Sequence, residues 1–215
     1  MGARKYIGVN NFYCNVLCPF LEKELVDMSN PERLDRIFEF LEEMALSDDS
    51  YVRDSLITTI LEPLRDEEKG WQNARKLMGK RTGKLMDMVE DGTILTYVNL
   101  VGVFLKRFPE FESAYKKELV WGNGEELSAN SLAGMVLSPY LREELPDMNN
   151  QERLDRIFGF IEEMIVSDDY SVRDVVYTSI VDEYGPHNKK ELENARRFMR
   201  KRTREFSDKI IKEGE

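Results

Sequence analysis

The chain has 215 residues, 41% of them hydrophobic and 33% charged, and a net charge of −10 at pH 7. Those proportions exclude a disordered chain, and the acidic excess opposes nucleic-acid phosphates and anionic membranes while favouring a basic partner. The two cysteines, Cys14 and Cys18, lie on one helical turn with no third thiol to pair with, which excludes a disulfide scaffold and predicts a reducing compartment.

Cytoplasmic localisation is the expectation. No apolar run approaches the length of a bilayer span, no apolar segment follows Met1–Tyr6 as a signal peptide requires, and Tyr6 occupies the position where a myristoylation signal needs Ser or Thr. The charge is spread evenly, −5 over residues 1–92 and −5 over the remainder, so there is no acidic tail or basic arm.

The chain repeats itself. Leu21–Glu62 realigns on Leu141–Asp182 at an offset of 120, with roughly 25 of 42 positions identical, well above compositional bias. Glu32-Arg33-Leu34-Asp35-Arg36-Ile37-Phe38 recurs as Glu152-Arg153-Leu154-Asp155-Arg156-Ile157-Phe158. Ser47-Asp48-Asp49 and Val52-Arg53-Asp54 recur as Ser167-Asp168-Asp169 and Val172-Arg173-Asp174. After a one-residue insertion the match resumes, Lys80-Arg81-Thr82 falling on Lys201-Arg202-Thr203.

In chain order, the pattern joins at about Val16 and reaches Asn30-Pro31-Glu32, a helix N-cap with proline at the first helical position and an acid near the positive end of the dipole. Asn150 is expected to repeat that cap. Leu34, Ile37, Phe38, Leu41, Met44 and Ala45 then recur at helical spacing, and Phe40 widens the stripe, predicting a helix covered on more than one side. Ser47-Asp48-Asp49 stops this helix and caps the next, whose Val52, Leu56, Ile60 and Leu64 point inward. A single following helix places Trp71, Ala74, Met78, Leu85 and Met88 on one side. Asp91-Gly92-Thr93 marks the seam. A strongly apolar helix over 94–108 follows, without counterpart in the first copy, and its two apolar flanks are expected to pack against both halves. No segment alternates as a strand does. The fold class is therefore all-α: two tandem homologous helical modules, residues 1–92 and 93–215, the second carrying the extra 94–108 helix at the junction.

Residues 37–60, with their acidic turn at Ser47-Asp48-Asp49 and Val52-Arg53 opening the second helix, resemble a HEAT repeat, and residues 157–180 do so in the same way through Asp168, Asp169, Val172 and Arg173. The resemblance covers about one helix pair per copy, roughly 30 residues against a usual period of about 40. It implies HEAT-like helix hairpins and protein binding along a helical surface. More loosely, a small, acidic, duplicated helical protein is similar to bacterial immunity proteins that neutralise polymorphic toxins.

The residue chemistry points to binding rather than catalysis. His187, the sole histidine, falls in a Gly-Pro-His-Asn turn without a nucleophile at a telling spacing. Cys14 and Cys18 lack further ligands for zinc and read as buried thiols in a helix interface; their counterparts are Gly134 and Ser138. Gly79-Lys80-Arg81-Thr82 lacks the leading glycine of a phosphate loop, and the basic run from Arg196 to Arg204 has no aromatic platform for nucleic acid. No cofactor or metal is expected, and no enzyme. The candidate partner-binding residues are the repeated acids Glu42, Glu43, Asp48, Asp49, Glu162, Glu163, Asp168 and Asp169, read as an electrostatic docking face for a basic protein. The function expected is a binding or inhibitor protein acting through an acidic helical surface, in its sharpest form a toxin-neutralising immunity protein. The alternative is an intracellular scaffold that self-associates or binds partners through its apolar helices.

Overall fold

The computed structural model describes residues 12–121, 126–178 and 189–213. The chain divides into two compact units, Met1–Ile94 and Leu95–Glu215. Among the described residues every regular element is helical.

In the first unit a π-helical turn, Tyr13–Leu17, runs directly into α1 (Cys18–Asp27). Pro19 accounts for the wide turn. Proline has no N–H and its ring crowds the carbonyl four residues back, and lengthening the repeat to five relieves that contact. The Cys18 amide accordingly donates to the Tyr13 carbonyl. The second unit repeats the device ahead of Pro139, where the Ser138 amide donates to Ala133 after the π-helical turn Ala133–Leu137. Helix α1 ends at Met28 in the left-handed region, φ 48°, and the counterpart Met148 does the same at φ 52°.

Helix α2 (Pro31–Met44) begins where the sequence places it, the Asn30 side chain accepting from the Arg33 amide at 3.2 Å. Asn150 does not repeat this cap. Its side-chain amide donates instead to the Glu144 carboxylate at 3.1 and 3.2 Å, which turns its oxygen away from the helix that follows. Asp49 caps α3 (Ser50–Asp54), which widens into a π-helical stretch, Ser55–Leu61, ahead of Pro63. Leu56, Ile60 and Leu64 are buried, as their spacing predicts.

The single helix expected over residues 71–88 is two, α4 (Glu68–Leu77) and α5 (Lys80–Glu90). The chain breaks at Met78 and at an extended Gly79, and a carboxylate from α2 seats itself on the first turn of α5. Leu21, Leu25, Leu34, Phe38, Leu41 and Met86 are sealed in the core these helices share. Each such side chain contributes about 1.5–3 kcal/mol by leaving water.

The second unit opens with a segment whose helix is shorter than the 94–108 expected. Thr96 and Asn99 bond reciprocally, the Thr96 amide to the Asn99 side chain at 2.9 Å and the Asn99 amide to the Thr96 hydroxyl at 3.3 Å. This reciprocal pair holds residues 96–99 in a turn ahead of α6, Leu100–Arg107. A 3-10 turn, Pro109–Phe111, and α7 (Glu112–Trp121) follow. Leu100, Val103, Phe104 and Phe108 lie in the second unit's own core, Phe104 being 1% exposed. The apolar stripe of this helix is thus covered within the second unit. The rest of the unit restates the first: α8 (Ala129–Leu132), α9 (Ser138–Glu144), α10 (Gln151–Ile165), α11 (Tyr170–Val176), α12 (Lys189–Phe198) and α13 (Lys201–Glu213).

Candidate functional site

Half of the acids expected to form a docking face are committed to holding helices. Glu42, from α2, accepts from the Arg81 amide at 3.1 Å and from the Thr82 amide and hydroxyl at 2.7 and 2.6 Å. It thus satisfies the open N–H groups at the start of α5 and places a negative charge on the positive end of its dipole. A Cβ on Gly79 would lie 2.3 Å from the Glu42 carboxyl carbon, so the bare glycine makes room for this seat. Glu162 repeats the contact on α13, accepting from the Arg202 amide at 2.9 Å and from the Thr203 amide and hydroxyl at 2.8 and 2.5 Å. Burial, the largest single influence on either carboxyl, pushes its pKa up. The hydrogen bonds from Thr82 and Arg81, or from Thr203 and Arg202, together outweigh it and hold both groups below the usual glutamate range.

The acidic turns are used locally as well. Asp49 accepts from the Tyr51 amide at 2.9 Å. Asp169 is 5% exposed; it caps α11 through the Ser171 amide at 2.7 Å and accepts from the Tyr97 amide at 2.6 Å. The arginine of each Val-Arg pair turns back on the same loop. Arg53 donates to the Ser47 carbonyl at 2.7 Å, and Arg173 to the Ser167 carbonyl and to that of Asp168 at 2.9 Å. The motif that resembles a HEAT repeat thus builds a self-locking turn. Glu163 pairs with Arg107 at 2.5 Å, Asp168 is half-buried, and Glu43 and Asp48 stand exposed.

The other chemical candidates scatter. Cys18 is buried, its Sγ donating to the Thr59 carbonyl at 2.9 Å, and burial pushes its thiol up to about 11; Cys14 is exposed, against the expectation of two buried thiols. Lys80, Arg81 and Thr82 are the first residues of α5. In the basic run, Arg196 pairs with Asp208 at 2.7 Å, and Arg202 with Glu205 at 3.3 Å. His187 lies outside the described residues. Among the described residues no group of three His, Cys, Asp or Glu side chains gathers to hold a metal, and no helix is long and apolar enough to cross a membrane.

The surface that stands out is one the acidic pattern did not indicate. In the first unit Phe12, Tyr13 and Leu17 face Arg33, Arg36, Ile37 and Phe40 of α2 across an open groove of about 760 Å³. Phe12 and Phe40 are 47% and 46% exposed. Phe40, expected to be covered because it widens the apolar stripe of α2, is open to solvent. Arg33 stacks over Phe20 with its guanidinium carbon 5.6 Å from the ring centre, which leaves the rim of the groove cationic. The signal was legible as a large aromatic off the core-facing stripe, and only its uncovered state needed the structure.

The four α2 residues of this groove are identical in the second unit, where they are Arg153, Arg156, Ile157 and Phe160 of α10. There the face is covered: Ile157 is 0% and Phe160 3% exposed. Phe104 and Phe108 lie 5.8 and 5.7 Å from the Phe160 ring, and Phe111 lies 4.8 Å from Tyr140, the counterpart of Phe20. Arg156 spans 5.0 Å to the ring of Phe108, donates to the Arg107 carbonyl at 2.8 Å and pairs with Glu110 at 3.2 Å. Arg153 joins the same carboxylate at 3.4 Å.

The model of a family described as a domain of unknown function (DUF7674) matches twice, over residues 4–91 and 101–213, and the chain belongs to that family. No curated protein and no solved structure matches the chain.

Proposed function

We propose that this two-module member of DUF7674 is a protein-binding protein whose first module contributes the binding surface. The observation that carries the reading is the groove bounded by Phe12, Tyr13, Leu17, Ile37 and Phe40, with Arg33 and Arg36 at its rim. Two aromatic side chains held half in water around a concave apolar floor, edged by cations, have the make-up of an interface awaiting its partner. Binding is favoured over catalysis because the repeated acids, the best candidates for proton transfer, have Glu42, Asp49, Glu162 and Asp169 bound to backbone amides.

Charge reversal against aromatic removal tests this. Partners are cross-linked to the chain in its own cells and identified, then compared for Phe40→Asp and for Glu43→Arg with Asp48→Arg. Loss of the main partner in Phe40→Asp alone is the expected result. Loss in the acid-reversed protein alone would return the interface to the acidic turn and refute the groove.

Toxin neutralisation is the finer form of this reading. The net charge of −10 supports it, because it steers a basic partner toward the chain. A partner that arrests growth when expressed alone and is silenced by co-expression of this chain would establish it. A harmless partner would leave the scaffold role. The free thiols Cys14 and Cys18 support a reducing, cytoplasmic setting.

A further inference from the structure

The duplicated fold holds one face in two states, and the covered copy describes what belongs on the open one. Arg-x-x-Arg-Ile-x-x-Phe is the same in both units, as Arg33, Arg36, Ile37 and Phe40 and as Arg153, Arg156, Ile157 and Phe160. Residues that serve as floor and rim in the second unit have kept their identity in the first, where Phe40 is exposed. In the second unit the cover is α6 and the 3-10 turn after it. Phe104 and Phe108, one helical turn apart, rest on Phe160, and Phe111 rests on Tyr140. The helix C-terminus presents the Arg107 carbonyl to Arg156, and Glu110 draws both arginines.

Three requirements follow for any occupant of the first unit's groove. It needs two large aromatic side chains four apart, a helix that ends beside Arg36 so that a free carbonyl meets the guanidinium, and a carboxylate two residues past the second aromatic. We propose that the first module binds an amphipathic helix of a partner protein with the pattern Phe-x-x-x-Phe-x-Glu-Phe, laid on α2 as residues 104–111 are laid on α10. The proposal rests on the groove being the binding surface and adds the chemistry of its occupant. Charge complementarity selects this occupant: the two rim arginines favour the open carbonyls of a helix C-terminus and a carboxylate just beyond it, as the Arg107 carbonyl and Glu110 meet Arg153 and Arg156 in the second unit. The partner can be basic overall, as the chain's net charge favours, provided the carboxylate after its second aromatic faces the two arginines.

The test uses a synthetic peptide of residues 100–111 as probe, labelled for fluorescence anisotropy, against the full-length chain. Saturable binding is expected, with methyl NMR shifts at Leu17 and Ile37 and none at Leu137 and Ile157. Phe40→Asp should abolish binding, and Arg36→Glu should weaken it by about tenfold or more. A peptide carrying Glu110→Arg should bind the Arg36→Glu protein better than it binds the unaltered chain, a rescue that a merely misfolded variant would not give. Failure of the peptide to bind the intact chain would overturn the proposal. So would binding that appears only after residues 1–11 are deleted, which would make the occupant the chain's own N-terminal segment. A concentration-dependent dimer lost in Phe40→Asp would overturn it in favour of a second copy. If the peptide fails while Phe40→Asp still loses the cellular partner, the groove survives as the binding surface and only the occupant proposed here is wrong.

Discussion

Removing the Glu42 carboxylate is the perturbation with the clearest arithmetic. Glu42→Ala strips the acceptor from the Arg81 amide at 3.1 Å and from the Thr82 amide and hydroxyl at 2.7 and 2.6 Å. Water can replace it at Arg81, which is exposed, but Thr82 is 0% exposed: its amide would lose its acceptor and its hydroxyl would keep only the Gly79 carbonyl at 3.4 Å. A charge-assisted bond is worth about 1.5–3 kcal/mol and an unsatisfied buried donor costs about 1–3, so a loss of about 2–4 kcal/mol is expected. Glu42→Gln, which keeps an acceptor and loses the charge on the helix dipole, should lose about half as much. Urea unfolding followed by Trp71 fluorescence in a Trp121→Phe background reads the first unit, since Trp71 packs against its core. The pH dependence follows from the depressed carboxyl. A group whose folded pKa lies below its unfolded value stabilises fully above the ordinary value of 4.5 and loses that contribution as pH falls through the folded one. The gap between the unaltered chain and Glu42→Ala should therefore be constant at neutral pH and shrink in acid. A gap under about 0.5 kcal/mol at pH 7, or one that widens as acid is added, would refute the capping account.

Three further outcomes follow from the two copies being alike but not equal. Phe40→Asp should change stability by about 0.5 kcal/mol at most, while Phe160→Asp, at a site 3% exposed, should unfold the second unit, both read by circular dichroism during thermal melting. Asp49→Ala should lose about 1 kcal/mol as a simple cap. Asp169→Ala should lose about 2–3, because it also leaves the Tyr97 amide unbonded; equal losses in urea titrations would remove the role assigned to that bond. A thiol reagent at pH 7.5 should label Cys14 within minutes and Cys18 only on unfolding, since burial raises the Cys18 thiol to about 11; two equally fast thiols would contradict the burial.

The fold was largely legible because its signals are local and occur twice. Asn30 before Pro31, and the Ser-Asp-Asp turn before Val-Arg, are statements about neighbours a few residues apart, and a second copy repeats the evidence. What escaped was long-range. Glu42 sits next to Glu43 in a helix and nothing nearby distinguishes them, yet its carboxylate meets an amide 40 residues on at Thr82. That contact ends one helix and starts another, so the break at Met78 and Gly79 was hidden with it. The late start of α6 was closer to reach, since Thr96 and Asn99 have the spacing of a reciprocal pair, but the apolar run around them masked it.

Which of the repeated acids cap helices was hidden for a related reason. Acids that recur in both copies can recur because the fold needs them, and Glu42 with Glu162 and Asp49 with Asp169 are bound to helix starts in each. Recurrence between copies therefore marks function only where the two copies use the residue differently. Phe40 and Phe160 meet that condition. The same residue, in the same helix register, is covered in one unit and left 46% exposed in the other, although the second unit shows that the same fold has a way to cover it. A duplicated face that needed no partner would be free to replace its exposed phenylalanine with a polar residue at no packing cost, whereas the first unit keeps both the aromatic and the two arginines that, in its twin, receive the covering segment.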